Sequence, residues 1–179
     1  MTDEELMAMV KAGDLQKASI LFDRYHKHLY NFFVKITLDK ELGHDLTQNV
    51  FLRMIRFKHT YRNEAKFKSW IFQIARNIYA DHYRSDKILK SDYEEVDRIG
   101  QKVDAIDEQL AKDEQEKLLY VALYKLNYEQ RELLLLSKFQ KMKYDEIATI
   151  YETSVGNIKT KVHRAIKKLK DNYLELEKI

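Results

Sequence analysis

The chain has 179 residues, 45% of them hydrophobic and 34% charged, with a formal net charge of +3, no cysteine, no proline and four glycines. That length allows one or two domains with real cores. The missing cysteines exclude a disulfide framework, a thiolate metal site and a thiol nucleophile, and the scarcity of turn residues points to an all-α protein.

Thr2 followed by Glu5 predicts a capping box for a short first helix that ends near Gly13. This acidic start, MTDEELMAMVKAGD, lacks the basic flank and apolar core of a signal peptide. No apolar run approaches bilayer length, so the expectation is a soluble, cytoplasmic chain. Asp14 is placed to cap a second helix, whose stripe includes Leu15, Ala18, Leu21, Tyr25, Leu29, Phe32, Phe33 and Ile36. After a break at Asp39–Gly43, a third helix is expected from His44 to Phe57, burying most of Leu46, Val50, Leu52, Met54 and Ile55.

A polar, aromatic loop from His59 to Lys66 leads into a fourth helix, Phe67 to Arg84, with Phe67, Trp70, Ile71, Ile74, Ala75 and Ile78 facing inward. Residues 1–86 form the first predicted domain, and 87–112, without a sustained apolar stripe, read as a linker. The second domain, 113–179, begins with a helix from Asp113 to Lys125. Asn127 and Gln130 make an N-x-x-Q capping pair for the next helix, which carries Leu133–Leu136 and Phe139. A helix-turn-helix, Tyr144 to Lys170, completes it.

Charge divides along the same lines. Residues 53–90 hold ten Lys/Arg against three Asp/Glu, residues 92–116 hold three against ten, and 155–170 hold six against none. Two basic blocks around an acidic one read as two polyanion-binding units on a self-repelling connector. In the last helix, capped by Ser154, an apolar face of Val155, Ile158, Val162, Ala165, Ile166 and Leu169 opposes Thr160, His163, Arg164 and Lys167. Asn157, Lys159, Lys161 and Lys168 line its edges. A stiff helix presenting cations and hydrogen-bonding side chains suits a major groove.

The first domain carries a different constellation. In HTYRNEAKFKSWIFQIARNIYADHYR, Arg62, Lys66, Lys68, Arg76 and Arg84 alternate with Tyr61, Phe67, Trp70, Tyr79 and Tyr83. Cations track a phosphate backbone, and exposed rings stack on unpaired bases at about 1–3 kcal/mol each. Phe67 and Trp70 also sit on the apolar face and read as core. Asp92, Glu94, Glu95 and Asp97 read as a solvated acidic linker rather than magnesium ligands, and the six histidines lack zinc spacing. No Gly-rich phosphate loop is present, so ATP-dependent activity is not expected; no catalytic residue and no cofactor is predicted.

These stretches together resemble the extracytoplasmic-function sigma factors of the sigma-70 family, bacterial transcription initiation subunits. LFDRYHKHLYNF resembles part of the family's opening helices, HDLTQNVFLRMIR the helix that docks on RNA polymerase, and FKSWIFQIARNIYADHYR the helix that meets the opened promoter. LNYEQRELLLLSKFQKMKYDEIATIYETSVGNIKTKVHRAIKKLK resembles the promoter-binding module. The resemblance implies that Asp45, Gln48, Phe51 and Arg53 contact core RNA polymerase. It implies that Tyr61, Arg62, Asn63, Lys66, Arg76, Asn77 and Arg84 capture the non-template strand of the downstream (−10) element. It implies that Asn157, Lys159, Thr160, His163, Arg164 and Lys167 read the upstream (−35) duplex.

An anti-sigma factor is the further partner the family implies, in some members held at the inner membrane face. Asn49, Tyr128 and Lys143 depart from the family's usual acidic, proline and Ser/Thr residues, and none of the three is a groove-facing position. The competing reading is a helix-turn-helix regulator of duplex DNA that never touches core polymerase. DLTQNVFLRM and the aromatic, basic loop argue against it, since a repressor needs neither.

Overall fold

The computed structural model describes residues 1–89, 99, 101–103, 105 and 113–178. Its helices are α1 (Asp3–Ala12), α2 (Lys17–Thr37), α3 (Lys40–Arg56), α4 (Phe67–Leu89), α5 (Glu114–Tyr124), α6 (Tyr128–Leu134), α7 (Tyr144–Tyr151) and α8 (Val155–Glu177). A 3-10 turn, Lys58–Thr60, precedes the loop before α4, and a π-helical stretch, Leu135–Phe139, prolongs α6. No strand occurs among the described residues.

Local chemistry sets the helix ends. Thr2 Oγ1 accepts from the Glu5 amide at 3.1 Å while Glu5 Oε2 accepts from the Thr2 amide at 2.7 Å, completing the capping box. Gly13, at φ 115°, closes α1 as the Asp14 amide reaches Met9 O at 3.0 Å. Asp14 is thereby committed to ending α1 and does not cap α2, which starts at Lys17 with no side-chain cap. Leu15, expected in the apolar stripe, is half exposed as a result.

The break before α3 is also tighter than the sequence suggests. Leu38 takes the left-handed conformation, and Asp39 Oδ1 accepts from the Leu42 amide at 3.0 Å, so α3 begins at Lys40. Gly43 therefore lies inside a helix, against α2, where an added Cβ would stand 2.7 Å from Val34 Cγ2.

Leu6, Met7 and Val10 of α1, Leu21, Leu29, Phe32, Phe33 and Ile36 of α2, Val50 and Met54 of α3, and Phe67, Ile71, Phe72 and Ala75 of α4 fill the first core. Each large apolar side chain so buried contributes about 1.5–3 kcal/mol. Leu52 is the exception to the expected α3 stripe: it is 71% exposed. Its offset of two residues from buried Val50 turns it to the opposite side of the helix.

Leu123 and Leu126, Leu133–Leu136, Ile147, Ile150, Ile158, Val162 and Ala165 fill the second core. Buried Arg131 holds its corner, donating to Tyr124 O at 2.8 Å and Leu126 O at 3.0 Å, which supplies partners for carbonyls orphaned at the end of α5.

The two cores join into one apolar cluster. Tyr79 of α4 stacks on Tyr128 of α6 with ring centroids 5.4 Å apart, and the Tyr124 hydroxyl donates to Ile36 O. Gln140 Nε2 donates to His28 O at 3.2 Å. Most of the expected linker, 87–112, lies outside the described residues; α4 runs past Arg84 to Leu89, Val103 is buried and Ile99 packs on the core.

Gly43→Ala is expected to lower stability by about 1 kcal/mol, because overpacking of about 1–3 kcal/mol exceeds a helix-propensity gain of at most about 1 kcal/mol. Urea unfolding monitored by circular dichroism measures the difference.

Candidate nucleic-acid interface

The helix-turn-helix is built from α7 and α8. Glu152, at φ 51°, turns the chain, and the Thr153 amide closes the turn on Ala148 O at 3.0 Å. Ser154 Oγ then accepts from the Asn157 amide at 3.1 Å and starts α8. Ile158, Val162 and Ala165 seat α8 on the second core. Val155 and Ile166, placed on that face by spacing, are instead exposed, so the buried stripe is narrower than expected.

Asn157, Lys159, Thr160, His163, Arg164 and Lys167 are all exposed. Asn157 Nδ2 donates to Thr153 Oγ1 at 2.8 Å and Thr160 Oγ1 to Gly156 O at 3.0 Å, which fixes both side chains against the helix start. Among the described residues, Lys159, His163, Arg164 and Lys167 have no hydrogen bond or ion pair within the chain. Their donors are directed to solvent, as a groove-reading face requires.

The loop before α4 is arranged differently. Tyr61, expected among the strand-contacting aromatics, is fully buried; its ring packs edge-on against Phe67 and Trp70 and its hydroxyl donates to Ala65 O at 2.6 Å. Burial pushes its phenol up to about 12, with Glu4 adding to the effect. Tyr61 therefore shapes the loop from beneath. Tyr79 is likewise buried, which leaves Trp70 and Tyr83 as the partly exposed rings of the constellation.

Arg62, Asn63 and Asn77 are exposed, and Arg84 pairs with Asp81 at 2.8 Å. Lys66 lies 3.6 Å from Glu146 of α7, and Lys68 Nζ donates to Gln140 O at 2.9 Å. Arg76 Nε donates to Glu132 of α6 at 3.0 Å, with its guanidinium 4.1 Å above the Tyr151 ring. Between Ala65, Lys66, Trp70 and Gln73 on one wall and Glu146 and Thr149 on the other lies a cleft of about 310 Å³.

Glu132 is the centre of this contact. Its carboxylate is fully buried and accepts from Arg76, from the Tyr128 hydroxyl at 3.1 Å and from the Tyr151 hydroxyl. Burial pushes the carboxyl above its ordinary range, against the opposing pull of Tyr151, Arg76 and Tyr128. Burial also works against the charge on Arg76, and Glu132 with Tyr151 more than restores it. Nothing in YEQRELL marks Glu132 for burial, because its cation stands in α4.

A third surface lies on α3. Asp45 and Gln48 are exposed, Arg53 is half-buried beside Asp81 at 3.7 Å, and Phe51 is only 8% exposed, tilted against Phe22 at 4.7 Å. Leu52, assigned to the core by its residue type, instead continues the Asp45–Gln48 stripe one turn on. Among the described residues no group of three or more His, Asp or Glu is placed to hold a metal, and Asp92, Glu94, Glu95 and Asp97 lie outside them. No described helix is long and apolar enough to cross a membrane.

Comparison with known proteins matches residues 21–88 to the family described as Sigma-70 region 2, and residues 108–169 to Sigma-70, region 4. The chain is 31% identical over 156 residues to the ECF RNA polymerase sigma factor SigM of Bacillus subtilis (strain 168), covering 86% of this chain and 93% of that one. It is 29% identical over 163 residues to SigX of the same organism, covering 88% and 83%. The fold is shared with CnrH, solved in complex with the cytosolic domain of CnrY, at a TM-score of 0.72, 20% identity and coverage of 94% and 95%. It is also shared with RpoE of Bartonella quintana, solved with the anti-sigma factor NepR, at a TM-score of 0.65, 20% identity and coverage of 86% and 94%.

Arg76→Met leaves the buried Glu132 without its cation and raises the carboxyl's folded-state pKa further. The variant is expected to lose about 2 kcal/mol at neutral pH, the low end for orphaning a buried charge because opening of the contact would wet Glu132. The loss should shrink as the pH falls toward the ordinary carboxylate range, where Glu132 protonates and no longer needs a partner. Urea unfolding of both proteins across this pH range tests the sign; a loss independent of pH would contradict it.

Proposed function

The chain belongs to the extracytoplasmic-function sigma factors of the sigma-70 family, and from that premise we propose how its surfaces divide the work of promoter recognition. As an alternative sigma factor it acts in transcription initiation by binding rather than by catalysis. The first helical unit, residues 1–86, docks on core RNA polymerase and captures the melted non-template strand; the second, 113–179, reads the upstream duplex; 87–112 connects them.

The observation that carries this division is the exposed face of α8, on which Lys159, His163, Arg164 and Lys167 have no partner among the described residues. Lys159, Arg164 and Lys167 neutralise phosphates or reach base edges, while Asn157, Thr160 and His163 supply hydrogen-bonding groups of defined position. Duplex affinity from such a face falls steeply with salt, by a logarithmic slope of about −3 if three phosphates are neutralised. Docking on polymerase uses Asp45, Gln48 and the exposed Leu52, with Arg53 at the edge. Phe51, mostly buried against Phe22, backs that stripe.

Strand capture uses Arg62, Asn63, Lys66, Arg76, Asn77 and Arg84, with Tyr61 holding the loop's shape. Bases of an opened promoter stack on flat rings and pair with donors around this loop, which offsets part of the unstacking cost. An anti-sigma factor is the expected regulatory partner, the class with which the structurally similar RpoE was solved.

Arg164→Ala is expected to weaken binding of an upstream promoter duplex by roughly tenfold, the loss of one base-reading contact of about 1–3 kcal/mol, and to leave association with core polymerase unchanged. Asp45→Lys is expected to do the reverse. Fluorescence anisotropy with duplex DNA and co-purification with core polymerase read the two effects separately. A variant that abolishes both, while folded, would contradict the division of roles.

A further inference from the structure

We infer that the second helical unit is an internal competitor of nucleic acid for the first: in the folded chain it occupies Lys66 and Arg76, two of the cations that would hold the melted strand, together with Lys68 between them. The inference rests on the strand-capture reading above, because it concerns what those same cations do before DNA arrives.

Three cations along the start and flank of α4 each face an oxygen of the second unit. Lys66 faces Glu146 at 3.6 Å, Lys68 donates to the Gln140 carbonyl at 2.9 Å, and Arg76 donates to Glu132 at 3.0 Å. The three acceptors come from α6, the turn after it and α7, so the match is between surfaces and not one stray contact. A carboxylate offers a guanidinium the same charge-assisted hydrogen bond that a phosphate does. Glu132 is held in place for this by Tyr128 and Tyr151, and it cannot take up water while the units are apposed, being fully buried.

Steric occlusion reinforces the charge match. Glu146 and Thr149 of α7 form one wall of the cleft whose other wall is the end of the loop, Ala65 and Lys66, and the first turns of α4, Trp70 and Gln73. A strand laid along Lys66 and Trp70 would meet Glu146 and Thr149 of α7 on the facing wall. The α8 residues assigned to the duplex lie outside the contact, Lys159, Arg164 and Lys167 being exposed and, among the described residues, unpaired. The closed chain is therefore competent for duplex DNA and blocked for single strands, and an event that parts the units unblocks it.

The apparent affinity for strand scales with the fraction of chains that are open. Glu132→Gln combined with Glu146→Gln weakens two of the three contacts without changing side-chain shape. This double variant should bind a short, fluorescein-labelled single strand of mixed sequence about tenfold more tightly than the parent, the full gain if about nine chains in ten begin closed and the variant is open. The logarithmic salt slope should steepen by up to about 2 as three cations become available.

The absence of cysteine permits the converse experiment. Glu64→Cys and Thr149→Cys, on opposite walls of the cleft, are joined by a short reducible cross-linker. The joined chain should lose strand binding, regain it on reduction, and keep its affinity for upstream duplex throughout.

Equal strand affinity before and after reduction would overturn the inference, and it decides the matter even if the glutamine variant folds poorly. Strand binding that depends on exposed Arg62 but ignores the cross-link would overturn the competition alone. Absence of any Arg62-dependent strand binding, with and without core polymerase, would overturn the strand-capture reading and the competition with it.

Discussion

A carboxylate with no access to water has to find positive charge, and in this chain Glu132 finds it in the other half of the molecule. Burial of a charge without a partner costs several kcal/mol, whereas a carboxylate accepting from one guanidinium and two phenols is well satisfied. The Arg76–Glu132 pair thus ties the charge state of the second core to the position of α4. Around it the Tyr79–Tyr128 stack, the bond from Tyr124 to the end of α2 and the Gln140 contacts extend one apolar cluster through both helical units. Because the contact combines ion pairs with apolar stacking, it has elements that salt weakens and elements that salt leaves alone.

The placement of positive charge follows from this arrangement. A net charge of +3 says little about partners until the cations are sorted by what they face. Lys159, Arg164 and Lys167 of α8 face solvent, whereas Lys66 and Lys68 at the start of α4 face oxygen atoms of the same chain. The two sets differ in cost of use. A solvent-facing cation binds phosphate by releasing counterions, while an engaged one must first give up an existing partner. On the proposed division of roles, that difference would set an order of action, duplex before strand.

Features fixed by a few neighbouring residues were legible in the sequence. The Thr2–Glu5 box, the closure at Gly13 and the Ser154 cap all rest on local hydrogen bonds, and each formed as its residues indicate. The basic face of α8 was legible because helical period and charge coincide there. The misplacements share a different cause. Asp14 is a capping residue type whose backbone closes the preceding helix instead, and Leu52 is apolar but lies outside because of its angular offset from Val50. Tyr61 looked like an exposed ring because loops are usually exposed; only packing against Phe67 and Trp70 buries it. Glu132 could not be found locally at all, since Arg76 is 56 residues away in the chain.

Family membership and the exposed groove-reading helix converge on one claim, that this chain tells core RNA polymerase where to begin. Mapping transcript starts on a library of genomic fragments, transcribed by core polymerase with and without the purified chain, addresses that claim most directly. The account predicts a discrete set of starts that appears only with the chain and shares a pair of upstream sequence elements. An identical distribution of starts in both reactions would contradict it.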